Sequence, residues 1–184
     1  MKYRRRIGFF ALMLLSALCM TAVSCVPKTI DPLSYQCVPA EITAALTTDT
    51  GTFGVVINIS GNGAARHAVI SFTSPDTVAG MTVDIRGVDS PSVTISSGDI
   101  TLPVSTSAAE RFIYIADMFR LDSSMVSSAA ENGNSVTVTV PHPCGGSVYV
   151  SFDGGSDTPS MISDADGTVS LSIANYRFTT EGNE

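Results

Sequence analysis

The chain has 184 residues, with 10 Lys and Arg against 17 Asp and Glu, a formal net charge of −7 and 44% hydrophobic residues. This length favours a single domain. The acidic balance argues against nucleic acid as a partner, because phosphate binding requires clustered Lys and Arg. It also argues against docking of a basic surface on anionic lipid. The apolar content is high enough for a packed core, so the composition argues against wholesale disorder.

Residues 1–24 have the order of a secretory signal peptide. Lys2 and the three arginines at 4–6 precede an apolar run from Ile7 to Ala22. A helix of that length extends about 24 Å, which is short for a hydrocarbon core of about 30 Å. Small residues then follow, as they do at signal cleavage sites. The sequence therefore predicts an exported protein.

The end of this segment, Thr-Ala-Val-Ser-Cys at 21–25, resembles the lipobox of bacterial lipoproteins, in which a small residue precedes the lipidated Cys. Ala22 stands where Leu is commonest in that motif, so ordinary cleavage after Ser24 remains an alternative. The resemblance implies that Cys25 carries several acyl chains, which are enough for stable anchoring in a membrane. Val26 replaces the Asp that retains some lipoproteins in the inner membrane, and this favours the outer membrane of the bacterial cell envelope.

The four cysteines fit this interpretation. Cys19 lies in the signal peptide and is removed with it. If Cys25 were an ordinary thiol, the exported chain would hold an odd number of cysteines. If Cys25 is acylated, Cys37 and Cys144 remain as a pair, which suits a disulfide in an oxidising compartment. The sequence therefore predicts lipidation at Cys25 and a bridge between Cys37 and Cys144.

The exported chain is more acidic than the whole. Removal of residues 1–24 removes four of the 10 basic residues and none of the 17 acidic ones, which leaves a net charge of −11. Pro27 and Pro32 predict a short, extended tether over residues 25–36, which can hold the domain at most about 40 Å from the bilayer. A single domain is predicted over residues 37–184.

This domain alternates apolar and polar residues with a period of two, the pattern of half-buried strands. The segments that show it are 53–60, 68–72, 81–86, 93–95, 100–104, 136–140, 148–152 and 169–173, with a weaker one at 42–46. Many lie about 8–12 residues apart, which is typical of antiparallel sandwiches and barrels. The sequence predicts a mainly β fold, an antiparallel β-sandwich of the Ig-like or jelly-roll-like kind.

Residues 108–132 interrupt this pattern. Ser107 and Glu110 fit a helix capping box, and Phe112, Ile115 and Phe119 follow at helical spacing. The same residues also fit a strand from 111 to 115. One or two short helices are predicted here, with a strand and a long loop as the alternative.

Candidate metal ligands are concentrated near the C-terminus. Four carboxylates fall within fourteen residues that also contain several glycines: Asp153, Asp157, Asp164 and Asp166. Calcium prefers several hard oxygen ligands from flexible loops, so these residues are weak candidates for a calcium site. The alternative is a solvated turn that leads into the strand at 169.

Catalytic chemistry has little support. The only histidines are His67 and His142, and no nucleophile elbow is present. His142 and Cys144 are too few ligands for zinc. We therefore expect a non-catalytic domain with a structural or protein-interaction role in a cell-envelope assembly. The alternative is a module that binds a glycan or another nutrient, with or without calcium, and an envelope hydrolase is the least favoured interpretation.

Overall fold

A computed structural model of the protein describes residues 31–61 and 65–179. The predicted signal peptide and Cys25 lie outside these residues. Within them, no helix is both long and apolar enough to cross a bilayer.

Eleven strands make up most of the described chain. They are β1 (Ala40–Thr48), β2 (Gly51–Ser60), β3 (His67–Ser74), β4 (Met81–Arg86), β5 (Ser92–Ser97), β6 (Ile100–Val104), β7 (Ser128–Asn132), β8 (Ser135–Pro141), β9 (Ser147–Asp153), β10 (Met161–Asp164) and β11 (Val169–Phe178). Every segment that the sequence predicted as a strand is found, and β7 and β10 are additional.

The strands hydrogen-bond in one sheet in the order β6-β5-β4-β3-β2-β1-β11-β10-β9-β8-β7, and all neighbours are antiparallel. The mainly β, antiparallel class is thus confirmed, but the described strands form a single sheet instead of the two sheets of the predicted sandwich. The chain runs outward from β1 to one edge at β6. It then passes to the opposite edge at β7 and returns strand by strand to β1.

One face of this sheet carries the core. Alternate side chains are fully buried, among them Ile42, Ile57, Ile70, Val83, Val150 and Leu171. The opposite face carries Ser and Thr pairs that hydrogen-bond across strands, such as Thr137 with Ser151 at 2.9 Å. Among the described residues, the fully buried core side chains lie between Leu33 and Leu171, so a chain that begins at residue 26 keeps all of them.

The connection from β6 to β7 covers the apolar face. Helix α1 (Glu110–Asp117) buries Ile115 and Ala116, and Met118 and Phe119 follow it into the core. A 3-10 turn at Ser123–Met125 completes the connection. The predicted helix is therefore present but short. Its predicted capping box is wrong, because Ala109 occupies the N-cap without a side-chain bond and Ser107 Oγ lies 3.2 Å from Ser105 Oγ.

Part of the segment predicted as a tether, residues 25–36, belongs to the folded domain. Leu33 and Tyr35 are each only 2% exposed and belong to the core, and Ser34–Cys37 form a 3-10 turn. The Tyr176 hydroxyl donates to the Tyr35 carbonyl at 3.2 Å, which fixes this turn to β11. The described residues before β1 thus pack on the sheet because two of them are large and apolar, so the folded domain begins before the predicted boundary at residue 37.

Candidate functional site

Two grooves lie at opposite ends of the strands. The Arg66 groove, about 620 Å³, lies near the start of β1 and is lined by residues that include Gln36, Arg66, Asp89, Phe119, Arg120 and Leu121. The Tyr114 groove, about 680 Å³, lies near the end of β1 and is lined by residues that include Glu110, Tyr114, Gly146, Asp164 and Asp166. Both volumes are within the range of small-molecule sites, about 300–1,000 Å³.

The walls of the Arg66 groove are held by specific contacts. Gln36 Oε1 accepts from the backbone N–H of Leu121 at 2.6 Å, and its amide donates to the carbonyl of the same residue at 3.4 Å. Phe119 and Leu121 are 3% and 7% exposed, so they form a largely desolvated apolar wall. These bonds join the N-terminal turn to the segment after α1, so the groove has a fixed shape.

Arg66 is the unusual side chain of this groove. It is 8% exposed, and its guanidinium donates to the carbonyl of Ala116, in the last turn of α1, at 2.8 Å. Burial lowers the pKa of Arg66 to about 10, an effect that the more distant Asp117 partly offsets. Arg120, beside it in the groove, forms an ion pair with Asp117 at 3.1 Å.

The described part of the chain contains five arginines, and four of them form ion pairs: Arg86 with Asp84, Arg111 with Asp49, Arg120 with Asp117 and Arg177 with Glu41. Among the described residues, no carboxylate lies within ion-pair distance of Arg66. The most buried of these cations is thus the one without a paired anion, although buried charges are ordinarily paired.

The Tyr114 groove is built on a turn that Asp164 closes. Asp164 is 9% exposed, and its Oδ1 accepts from the backbone N–H of Val169 at 3.1 Å while Oδ2 accepts from the Thr168 hydroxyl. Burial and the nearby Asp164 raise the pKa of Tyr114. These bonds give Asp164 a structural role at the β10–β11 turn, the role that the sequence offered as the alternative to metal binding.

His142 is occupied by backbone contacts at both ring nitrogens. Nδ1 accepts from the N–H of Cys144 at 3.0 Å, and Nε2 lies 3.1 Å from the Tyr114 carbonyl, which can only accept. The ring is therefore neutral, with its hydrogen on Nε2, and it stacks on Tyr114 with a centroid distance of 3.8 Å. Burial lowers the pKa of His142. This histidine anchors the β8–β9 turn to α1.

The structure does not bring the four predicted calcium ligands together. Val148 of β9 pairs with Asp164, whereas Asp153 is the last residue of β9, so the two carboxylates lie roughly 16 Å apart along the sheet. Asp157 belongs to the loop after Asp153, and Asp166 to the turn after Asp164. In the described ranges, no three His, Cys, Asp or Glu side chains are grouped as a metal site would require.

The predicted Cys37–Cys144 bridge is also absent, and both residues are free, exposed thiols. Cys37 lies just before β1, whereas Cys144 lies in the β8–β9 turn, at the end of the sheet where β1 finishes. A disulfide needs Cα atoms within about 7 Å, which neighbouring strand ends can provide and opposite ends cannot. Cys144 Sγ lies 3.5 Å from Asp117 Oδ2 instead, and partial burial together with that carboxylate raises its pKa.

Two exposed surfaces complete the candidate sites. Ile100 and Leu102 of the edge strand β6 are 65% and 60% exposed, and Leu102 pairs with Ile95, which packs on the core. We call these two side chains the β6 apolar edge. Tyr149 lies on the polar face with 39% exposure, and neither it nor Asp157 lines the Arg66 groove, the Tyr114 groove or the smaller cleft beside Asp153, all three formed by described residues.

The sequence analysis missed both grooves. Arg66 stands alone between Ala65 and His67, without the motif or charge cluster that would mark a site. The one available indication was that basic residues are rare, because residues 25–184 contain only six of them and Arg66 directly precedes a strand. The role of Gln36 could not be predicted from the sequence, since its hydrogen-bond partner Leu121 is distant along the chain.

No protein-family model and no curated protein matches this chain. Among solved structures it is similar to a putative outer membrane lipoprotein-sorting protein domain from Vibrio parahaemolyticus, at 9% identity over 80% of this chain and 88% of that one, with a TM-score of 0.42. A LolA superfamily protein from Nitrosomonas europaea gives 9% identity, coverage of 82% and 90%, and a TM-score of 0.42. An uncharacterized conserved protein from Thermus thermophilus is 11% identical over 82% of this chain and 85% of that one, with a TM-score of 0.44. At this level of overlap, function is argued from the chain's own residues.

Proposed function

We propose that this protein is a lipid-anchored component of a bacterial cell envelope whose β-sheet domain acts by non-covalent association with a protein partner. The β6 apolar edge carries this proposal. Two large apolar side chains at the end of the core-bearing face are more than half exposed, although such side chains are ordinarily covered when they continue a core. A protein partner in an envelope assembly would cover them.

The polar groups near α1 support association over catalysis. Both nitrogens of His142 contact backbone groups, so the ring has no free position for a substrate proton. The raised pKa of Cys144 keeps its thiol protonated, and the thiol is a poor nucleophile.

Anchoring at Cys25 is tested by metabolic labelling with palmitate. We expect the wild-type chain to incorporate label and to sediment with outer-membrane markers, and Cys25→Ser to lose the label. Equal labelling of the two chains would rule out Cys25 as the site of acylation.

Association is tested by placing a photo-crosslinking amino acid at position 102 in living cells. The control is the same substitution at Thr43, an exposed residue of β1 on the polar face. We expect a discrete protein adduct from position 102 and none from position 43. Adducts that are absent from both positions, or equal at both, would contradict a protein-interaction role for the β6 apolar edge.

A further inference from the structure

We propose that the Arg66 groove is a binding site for a small anionic amphiphile, a single carboxylate or phosphate joined to an apolar tail, with Arg66 and Arg120 facing the anionic group. This inference does not depend on the β6 apolar edge, but its argument from position rests on the proposed lipid at Cys25. It rests on the charge, the lining and the position of the groove.

The charge argument begins with Arg66. A guanidinium has five N–H donors, and one hydrogen bond to the Ala116 carbonyl at 2.8 Å is what the described residues give it. Removal of a cation from water is costly unless an anion compensates it. Because Arg66 lines the groove while 8% exposed, an anion bound there would supply the compensation that the other described arginines receive from carboxylates.

The lining requires more than a small anion. Ile59, Phe119 and Leu121 are each at most 8% exposed and flank the two guanidinium groups, with half-buried Val88 beside them. Val88 is the most exposed of these side chains, and a free inorganic anion would leave the apolar surface that faces the groove in contact with water. A ligand with an apolar tail would cover it, and about 620 Å³ is enough for a small molecule.

The position of the groove fits an amphiphile of membrane origin. It is lined by Gln36 and Cys37, at the end of the sheet where the chain enters from the predicted anchor. Five residues lie between Cys25 and Asp31, so six Cα–Cα steps can extend the chain at most about 22 Å between them. The groove thus belongs to the part of the domain nearest, along the chain, to the lipid.

Calorimetric titration of decanoate into the chain 26–184, which keeps every described core residue, tests the proposal. Acetate supplies the carboxylate without a tail, and decanol supplies the tail without a charge. We expect decanoate to bind more tightly than either. Acetate binding as tightly as decanoate would overturn the apolar part of the site, and decanol binding as tightly would overturn the role of the arginines.

Variants then locate the site. Arg66→Met is expected to weaken decanoate binding by about 10- to 100-fold, the usual effect of losing a hydrogen bond to a charged group. Val88→Glu is expected to weaken it while leaving the Arg66–Ala116 bond intact, which separates loss of the ligand from loss of the fold. Arg86→Met, on the polar face, makes the same change in net charge and should leave binding unchanged. Failure of decanoate to bind the wild type, or equal binding by all three variants, would overturn the proposal.

Discussion

At the scale of single residues, burial decides what the polar groups around the core can do. Tyr35 is 2% exposed, and among the described residues its hydroxyl has no hydrogen-bond partner. Its ring contacts Phe152 and Tyr176 edge to face, with centroids 6.0 and 5.7 Å apart. The ring therefore contributes packing, while the hydroxyl adds the cost of a buried polar group.

We expect Tyr35→Phe to raise the free energy of unfolding by about 1 kcal/mol, because the substitution removes an unsatisfied hydroxyl and keeps the ring. Tyr176→Phe is the matched control. It removes a hydroxyl that donates to the Tyr35 carbonyl at 3.2 Å, so it should lower the same quantity by about 1 kcal/mol. Urea unfolding of the two variants measures both effects. A larger loss in Tyr35→Phe than in Tyr176→Phe would mean that the Tyr35 hydroxyl has a partner.

His142 gives a pH dependence whose sign follows from its contacts. Its pKa lies below the ordinary 6.5 in the folded protein, mainly because of burial, while Asp117 raises it and Arg120 lowers it. The unfolded chain then binds a proton that the folded chain does not. Stability is therefore full above pH 6.5 and falls as the pH decreases through the folded pKa, with a slope of at most about 1.4 kcal/mol per pH unit.

Unfolding free energies between pH 5 and 7.5 test this expectation. His142→Gln should remove the slope, and His67→Gln, which alters the chain's other histidine, should keep it. A slope that persists in His142→Gln and disappears in His67→Gln would contradict the assignment of the pH dependence to His142.

At the scale of elements, turns decide which strands meet. Gly61 ends β2 with φ of +69°, and a Cβ atom there would overlap the backbone carbonyl of Ala65. Gly98, between β5 and β6, has φ of +56° with open space where a Cβ would lie. The two glycines share the left-handed conformation and differ in crowding.

Gly98→Ala should therefore lower the free energy of unfolding by about 1 kcal/mol, the usual cost of a side chain in this conformation. Gly61→Ala should cost at least about 1 kcal/mol more, because the backbone must also move. Thermal and urea unfolding of the pair provide the comparison. Equal losses of unfolding free energy in the two variants would show that the backbone at Ala65 moves away from the new Cβ atom without measurable cost.

The two strands that the sequence patterns missed, β7 and β10, lack a clear apolar–polar alternation for physical reasons. Every residue of β7 is exposed, so no apolar period marks Ser128–Asn132. In β10, Ile162 is followed by buried Ser163 and Asp164, and the alternation fails because polar atoms bonded in a turn take apolar positions. The single sheet was equally hidden, since period-two patterns report which side chains are buried and not which strands pair.

At the scale of the whole molecule, the distribution of charge sets the Arg66 groove apart from the rest of the surface, and the extent of the core sets the β6 apolar edge apart. Without residues 1–24, the predicted signal peptide, the chain carries a net charge of −11, so its charge opposes contact with anionic lipid. The Arg66 groove is a local exception to this acidity, since Arg66 and Arg120 line it with one carboxylate, that of Asp89.

The sheet also has an apolar face that extends beyond its core, and a pair of identical substitutions measures where the core ends. Leu171 of β11 is 0% exposed, and Leu171→Ala should lower the free energy of unfolding by about 2–5 kcal/mol, through lost burial and a residual cavity. Leu102 of β6 is 60% exposed, and Leu102→Ala should change it by no more than about 0.5 kcal/mol.

Urea unfolding of the isolated chain 26–184 measures both leucine variants. A loss above about 1.5 kcal/mol in Leu102→Ala would mean that this side chain is buried within the monomer, and the β6 apolar edge would then be part of the core. If the loss is small, folding of this chain does not account for a leucine and an isoleucine side by side on an exposed strand. Their remaining use is contact with another molecule, and this is why Leu102 is the position at which a crosslink to a partner is expected.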